Sequence, residues 1–283
     1  MKKWKYLLKV VMAVGVIAMT AVQICTAAEG TAQAAVSEVT PVSISTNEIS
    51  GWPAGPEITS ETGVLMDADS GTLLYSKGGD EIRYPASITK IMTAMLALQS
   101  GKLNDTVTIT QDNVTLEDGS QVCGFVAGDQ VTLDQLLHCL LVYSGNDAAS
   151  AIAEYVGGST ENFVQMMNDY AAKLGCTGTH FSNPHGLQDE NHYTTPYDIY
   201  LMLNEAFTYP EFTEITELPS YTVTYTGSDG TEKSTTLTAT DHYLTGEATA
   251  PKDVTILGGK TGTTEVAGNC LAILTQNAYG KTF

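Results

Sequence analysis

The sequence predicts a mixed α/β (α+β) fold in which N- and C-terminal strands form an antiparallel sheet flanked by helices. Residues 63–67 and 72–76 are short β-prone runs on either side of a turn rich in aspartate and glycine, the pattern of a hairpin. Residues 254–259 and 269–275 are two further runs of this kind near the other end. Between the two pairs, apolar residues recur at helical spacing, which predicts a central all-helical region.

Helical periodicity covers residues 87–98, 133–143, 147–155, 162–174 and 196–207. The first segment is apolar on nearly all faces, so we expect it at the centre of the domain. Thr132 is a candidate N-cap for the second segment, since Gln135 follows three residues later as in a capping box. Residues 221–240 contain a further candidate hairpin.

Length and charge restrict the possible functions. The chain has 283 residues, enough for one large domain or two small ones, and its formal net charge is −19. Phosphate binding needs clustered Lys and Arg, so this acidity argues against nucleic acid or an anionic membrane as a partner. A soluble, exported protein is the simpler interpretation of the charge.

The N-terminus has the pattern of a secretory signal. A lysine-rich start precedes an apolar run from Val10 to Ile24 and then small residues. The run is shorter than the roughly 20 residues that span a bilayer, so we prefer cleavage over a retained anchor. We predict a signal peptide at residues 1–34, with Ala27 or Ala28 as alternative cleavage sites. Residues 35–61, rich in Ser, Thr, Pro and Gly, would be a flexible linker to a domain at residues 62–283.

Ser87 and Lys90 are the candidate nucleophile and its base. They lie three residues apart at a predicted helix start, so they share one helix face and the Lys90 amine can reach the Ser87 hydroxyl. Pro85 suits the approach to a helix N-terminus, where backbone N–H groups favour developing negative charge. A Ser-x-x-Lys pair alone is common by chance, and it gains meaning only from partners elsewhere.

Two later segments supply such partners. The break between the helices predicted at residues 133–143 and 147–155 presents Ser144 and Asn146 together. The strand at residues 254–259 leads directly into the sequence Lys-Thr-Gly-Thr at residues 260–263, which places a lysine and two hydroxyls on a strand. The sequence thus contains a hydroxyl and amine pair, a polar helix break and a polar strand segment, in that order.

The three fragments Ser87-x-x-Lys90, Ser144-x-Asn146 and Lys260-Thr261-Gly262 resemble the motifs of the penicillin-binding protein and serine β-lactamase superfamily. Residues 84–94, 144–149, 183–187, 192–195 and 258–262 are similar, more narrowly, to the low-molecular-mass D-alanyl-D-alanine carboxypeptidases. The resemblance covers about residues 62–283. The middle motif is Ser-Gly-Asn, as in those carboxypeptidases, where class A β-lactamases usually have Ser-Asp-Asn.

The resemblance implies a serine-type D-Ala-D-Ala carboxypeptidase that removes the terminal D-alanine from peptidoglycan stem peptides through an acyl-enzyme on Ser87. Lys90 would accept the Ser87 proton, and it can be neutral only if desolvation and the positive charge of Lys260 lower its pKa. No metal or other cofactor is expected, and β-lactams would be covalent inhibitors. The implied catalytic residues are Ser87, Lys90, Ser144 and Asn146, and the implied substrate-binding residues are Lys260, Thr261, Gly262 and Thr263.

The family also leads us to expect segments beyond Phe283. These are a final strand with its packed helix, a smaller β-rich domain, a membrane-associating segment and an arginine that helps to bind the carboxylate. Residues 62–283 would then be a C-terminally incomplete catalytic domain, without membrane association after signal cleavage. Arg83, the only arginine in the chain, does not replace the missing one by position. The expected location is the cell wall or the outer face of the cytoplasmic membrane.

Two alternative functions stay open. A β-lactamase would need a base directed at the deacylating water, and no Glu-x-x-x-Asn segment occurs between Asn146 and Lys260. A non-catalytic module that binds peptidoglycan peptides is the alternative from another class. His185 lies in a loop without a matching aspartate, so we expect an ordinary hydrogen-bonding or exposed residue.

Four cysteines follow the predicted signal peptide. Their even number permits two disulfides in an exported protein, but small buried thiols are the preferred interpretation. They are Cys123, Cys139, Cys176 and Cys270.

Overall fold

A hairpin lies at each end of the described chain, with the helices between them. The computed structural model describes residues 51–283, so the predicted signal peptide and much of the predicted linker lie outside the described residues. The strands are β1 (Gly63–Asp67), β2 (Thr72–Lys77), β3 (Thr106–Thr108), β4 (Gln130–Thr132), β5 (Ser220–Thr226), β6 (Glu232–Thr238), β7 (Val254–Thr264) and β8 (Gly268–Asn277). The mixed α/β class and both end hairpins, β1 with β2 and β7 with β8, are confirmed.

The helical segments predicted from periodicity are also present. Three short helices, at residues 111–114, 210–216 and 242–245, were not predicted. The α-helices are α1 (Lys90–Gln99), α2 (Gln111–Val114), α3 (Leu133–His138), α4 (Asn146–Gly157), α5 (Thr160–Leu174), α6 (Pro196–Ala206), α7 (Pro210–Thr216) and α8 (His242–Thr245).

The helix α1 forms the centre of the domain, as its apolar faces predict. Its residues from Lys90 to Ala97 are all buried, and it contacts α4, α5 and α6. Met92 and Met95 have no exposed surface. Burying an apolar side chain of this size contributes roughly 1.5–3 kcal/mol, so the helix is a firmly packed base for the residues at its N-terminus.

The predicted helix break after residue 143 is present. The helix α3 begins with a capping box, in which Thr132 Oγ1 accepts from Gln135 N and Gln135 Oε1 accepts from Thr132 N. The chain continues as a π-helical turn (Cys139–Tyr143), a form that often occurs at functional sites. The turn ends at Ser144, and α4 begins at Asn146.

The central region is not all-helical, which corrects that part of the prediction. The strands β3, β4, β5 and β6 form a four-stranded antiparallel sheet in that order. Their Thr, Val and Tyr residues suit a pleated, half-buried surface. The link between β4 and β5 pairs Gln130 with Thr226. Residues so far apart in sequence leave no local signal of their pairing. The predicted hairpin at residues 221–240 is confirmed as β5 with β6, whereas its link to β4 was not predicted.

The two end hairpins are separate ladders, whereas the prediction joined their strands in one sheet. A groove of about 660 Å³ lies between β1 and β8, and residues of α6 also line it. At one end of the groove, Ala68 N donates to Thr282 O, and Lys281 Nζ lies 2.7 Å from Asp67 Oδ2. Residues after β8 therefore link the edge of β8 to the end of β1. The domain limits stay a prediction.

Candidate active site

Ser87 lies in a short 3-10 turn (Ala86–Thr89) that leads directly into α1. Its neighbours Ala86 and Ile88 are buried, while Ser87 itself is partly exposed and can be reached from solvent. Lys90 Nζ lies 2.9 Å from Ser87 Oγ. The pair that helical spacing predicted is therefore in direct hydrogen-bond contact.

The Lys90 amine has three oxygen neighbours. They are Ser87 Oγ at 2.9 Å, Asn146 Oδ1 at 2.7 Å and the main-chain oxygen of His185 at 2.6 Å. The two carbonyl oxygens can only accept hydrogen bonds, whereas the hydroxyl can also donate. A neutral amine has two N–H groups for the carbonyls and one lone pair for the Ser87 hydroxyl. The geometry thus suits a neutral Lys90 that accepts the proton of Ser87.

Burial favours this neutral form. The Lys90 side chain is 0% exposed, and desolvation lowers its pKa well below the usual value, with the positive charge of Lys260 as the second cause. Burial also lowers the pKa of Lys260, to about 7. The expectation that desolvation and Lys260 together lower the pKa of Lys90 is confirmed.

The helix break contains Asn146, whose Oδ1 contacts Lys90 Nζ, and also Ser144, two residues earlier in the chain. Ser144 is buried, and its Oγ has no hydrogen-bond partner among the described residues. Its φ of 69° is in the left-handed region, as is the φ of 47° at Ala86, the residue before Ser87. Such conformations cost of order 1–3 kcal/mol and tend to occur at functional sites.

The third fragment, Lys260-Thr261-Gly262, lies on β7, which packs against the turn that carries Ser87. A Cβ atom at Gly262 would lie 2.8 Å from Ser87 N, so the close approach of the two backbones requires glycine there. Lys260 is buried on the same strand, and its Nζ donates to Thr261 O at 2.9 Å. Thr263 is exposed, and its hydroxyl contacts Asn269 Oδ1.

The loop at residues 183–187 packs against the Ser87 turn, a contact that sequence reasoning missed. A Cβ atom at Gly186 (φ 89°) would lie 1.9 Å from Ala86 O, so the loop and the turn touch directly. This contact brings the main-chain oxygen of His185 within hydrogen-bond distance of Lys90 Nζ. A main-chain oxygen has no residue-type signature, and only the glycine in Asn-Pro-His-Gly could have indicated a close approach.

The imidazole of His185 is not a proton-transfer group near neutral pH. Burial, then Lys90 and His192, lower its pKa to about 3. Its Nδ1 accepts a hydrogen bond from Leu187 N at 3.2 Å. The expectation that His185 is a hydrogen-bonding loop residue is confirmed.

Asp147 is a second residue that sequence reasoning missed. Its carboxylate is buried at the start of α4 and accepts hydrogen bonds from Cys123 N at 2.9 Å and Gly124 N at 3.0 Å. The same loop supplies Gln121 O, which accepts from Asn146 N at 2.8 Å. Asp147 therefore fixes the loop that in turn supports the backbone of Asn146.

Comparison with known proteins decides the family. Residues 49–280 match the family described as D-alanyl-D-alanine carboxypeptidase. The chain belongs to this family. It is 39% identical over 160 residues to the carboxypeptidase DacF of Bacillus subtilis, an alignment that covers 55% of this chain and 41% of DacF. It is 33% identical over 241 residues to a Streptomyces D-alanyl-D-alanine carboxypeptidase, covering 80% of this chain and 79% of that one.

The chain spans about two fifths of the length of several curated relatives, such as DacF of Bacillus subtilis (41%) and DacC of Escherichia coli (39%). Solved structures are similar to this chain over a larger share of their own length. The DD-transpeptidase of Streptomyces has a TM-score of 0.74 and 31% identity, covering 81% of this chain and 89% of that chain. A D-alanyl-D-alanine carboxypeptidase of Mycobacterium tuberculosis has a TM-score of 0.72 and 30% identity, covering 82% and 83%.

Three further features of residues 51–283 concern metal ligands, membrane helices and cysteines. Among these residues, no group of three or more His, Cys, Asp or Glu side chains could hold a metal ion. Within the same range, no helix is both long and apolar enough to cross a bilayer. The four cysteines of this range are free thiols. Cys139 and Cys176 are buried, as the preferred interpretation has it, and Cys123 and Cys270 are half-buried.

Replacement of Asp147 by asparagine should loosen the loop beside Asn146. The amide NH₂ of asparagine would face backbone N–H groups that now donate to a carboxylate, at a cost of about 1.5–3 kcal/mol in the free energy of unfolding. Urea denaturation of Asp147→Asn measures this loss. Asp134→Asn, which removes an equal charge from a half-exposed side chain in the first turn of α3, is the control. Equal stability of the two variants would contradict the role given to Asp147.

Proposed function

We propose that this protein is a serine-type D-Ala-D-Ala carboxypeptidase that removes the terminal D-alanine from peptidoglycan stem peptides. The observation that carries the proposal is the contact between Ser87 and a buried amine whose other two neighbours are carbonyl oxygens. Membership of the D-alanyl-D-alanine carboxypeptidase family supports the substrate class.

Acylation begins when Ser87 Oγ attacks the carbonyl carbon of the terminal peptide bond while its proton passes to Lys90 Nζ. The backbone N–H groups of Ser87 and Thr263 stabilise the oxyanion, each donor contributing about 3–4 kcal/mol in such sites. The tight contact between Gly262 and the Ser87 turn supports this pairing of amides. The tetrahedral intermediate then collapses, and the C–N bond to D-alanine breaks.

The leaving nitrogen needs a proton, and Ser144 is the group proposed to pass it on. Its buried Oγ, without a hydrogen-bond partner among the described residues, is available for a substrate. Asn146 holds the Lys90 amine and the acyl chain. Water then attacks the ester on Ser87, with Lys90 again as the base, which releases the shortened peptide. These steps require no metal or other cofactor.

The C-terminal carboxylate of the substrate is proposed to bind at Lys260, Thr261, Gly262 and Thr263 on β7. An ammonium group at Lys260 attracts the carboxylate, and the two hydroxyls donate hydrogen bonds to it. β-Lactams, which carry a carboxylate beside a strained amide, would enter the same site and acylate Ser87. The substrate lies outside the cytoplasm, so an N-terminal signal at residues 1–34 and export to the cell wall are part of the proposal.

Penicillin should label the purified protein covalently at Ser87. Ser87→Ala removes the nucleophile and should abolish labelling, as seen with a fluorescent penicillin on a denaturing gel and by peptide mass spectrometry. Ser100→Ala, at the other end of α1, should be labelled as the unmodified protein is. Labelling that survives Ser87→Ala would refute the mechanism, and rapid loss of the adduct by hydrolysis would favour a β-lactamase instead.

The pH dependence of kcat/KM for a D-Ala-D-Ala peptide should be bell-shaped. The value reports the free enzyme, and it rises with pH as Lys90 loses its proton and becomes a base. It falls again as pH passes about 7, where Lys260 loses the charge that binds the carboxylate. Stopped-time assays of released D-alanine between pH 5 and 9 test this. A rate that keeps rising to pH 9 would contradict the role of Lys260.

A further inference from the structure

The buried ammonium of Lys260 lacks a close acidic partner in the catalytic fragments themselves. Lys260 is 1% exposed, and the hydrogen bond of its Nζ goes to a main-chain carbonyl, Thr261 O. A buried charge is costly unless another charge compensates for it. The proposed function nevertheless needs Lys260 charged and Lys90 neutral, although both lysines are buried in the same site.

Asp241 carries a carboxylate that is buried close to this lysine. It is 7% exposed and caps α8, where its Oδ1 accepts a hydrogen bond from Tyr243 N at 2.9 Å. Its Oδ2 is buried and has no hydrogen-bond partner among the described residues. Asp241 and Lys260 line the same small cavity, together with Gly259 and Thr261.

The residue before Asp241 fixes this carboxylate against the catalytic fragments. Thr240 Oγ1 lies 2.6 Å from Thr261 Oγ1 on β7. Thr240 N donates to Val142 O, in the π-helical turn that ends at Ser144. The position of Asp241 is thus tied both to the strand that carries Lys260 and to the helix break.

The charges around the two lysines are arranged unequally. Asp241 raises the pKa of Lys260 against the effect of burial. Lys90 has Lys260 as a repelling neighbour, and the attraction of the Asp147 carboxylate is a smaller cause than that repulsion. The carboxylate of Asp147 already accepts hydrogen bonds from the backbone amides of Cys123 and Gly124. These charges therefore favour the protonated form at Lys260 over the protonated form at Lys90.

We propose that Asp241 is the positioning residue that keeps Lys260 in its ammonium form, so that one lysine of the site binds carboxylate while the other acts as a base. The inference rests on the proposed function, because it assigns a cause to the different charge states which that function needs. Environments that push the pKa values of two neighbouring groups apart are a general means of dividing roles between them.

Asp241→Asn tests the proposal, since asparagine is as good an N-cap as aspartate and removes the charge alone. The alkaline limb of kcat/KM for a D-Ala-D-Ala peptide should move down by about one pH unit, as expected on loss of an adjacent opposite charge. At pH 8 kcat/KM should fall about tenfold, mainly through KM, and at pH 6 it should change by no more than about twofold. Glu247→Gln, an equal charge change at an exposed residue just after α8, should leave the limb in place.

An unchanged alkaline limb in Asp241→Asn would overturn the proposal. A uniform loss at all pH values would do the same, because it would indicate a structural role. Thermal denaturation of both variants shows whether they are folded. If the unmodified protein neither binds penicillin nor releases D-alanine, the proposed function fails. The inference is then tested without activity, by NMR of the Lys260 ¹⁵Nζ signal. The pKa of Lys260 should be lower in Asp241→Asn than in the unmodified protein.

Discussion

The site depends on the burial of one amine, that of Lys90, between a hydroxyl and two carbonyl oxygens. Desolvation lowers its pKa, and the surrounding oxygens leave room for one lone pair directed at Ser87. Three separate parts of the chain meet at this nitrogen: the turn before α1, the start of α4 through Asn146 and the loop that contributes the carbonyl of His185. Loss of any of these contacts would change the protonation of the base as well as its position.

Close backbone contacts hold these parts together. Gly262 lets β7 approach the turn with Ser87, and Gly186 lets the neighbouring loop do the same from another direction. The strained backbone at Ala86 and Ser144 persists because the packed core around α1 fixes the residues on both sides. The hydrophobic core therefore contributes to the chemistry, since it stabilises a conformation that the site could not maintain alone.

Local patterns in the sequence were enough to predict the hairpins, most of the helices and the pairing of Ser87 with Lys90, because these depend on neighbours in the chain. They predicted the hairpin of β5 and β6 but not its pairing with β4, which joins distant segments. Asp147 and Asp241 look like ordinary acidic residues in the sequence. Their roles follow from what they lie against after folding, and the carbonyl of His185 has no side-chain signal at all.

The central claim is that Lys90 is neutral at the pH where the enzyme works. The most direct measurement is an NMR titration of the ¹⁵Nζ signals of the lysines, with the Lys90 signal assigned by its absence from Lys90→Arg. The account predicts that Lys90 Nζ has the chemical shift of a neutral amine at pH 7. An ammonium shift for Lys90 at pH 7 would contradict the account.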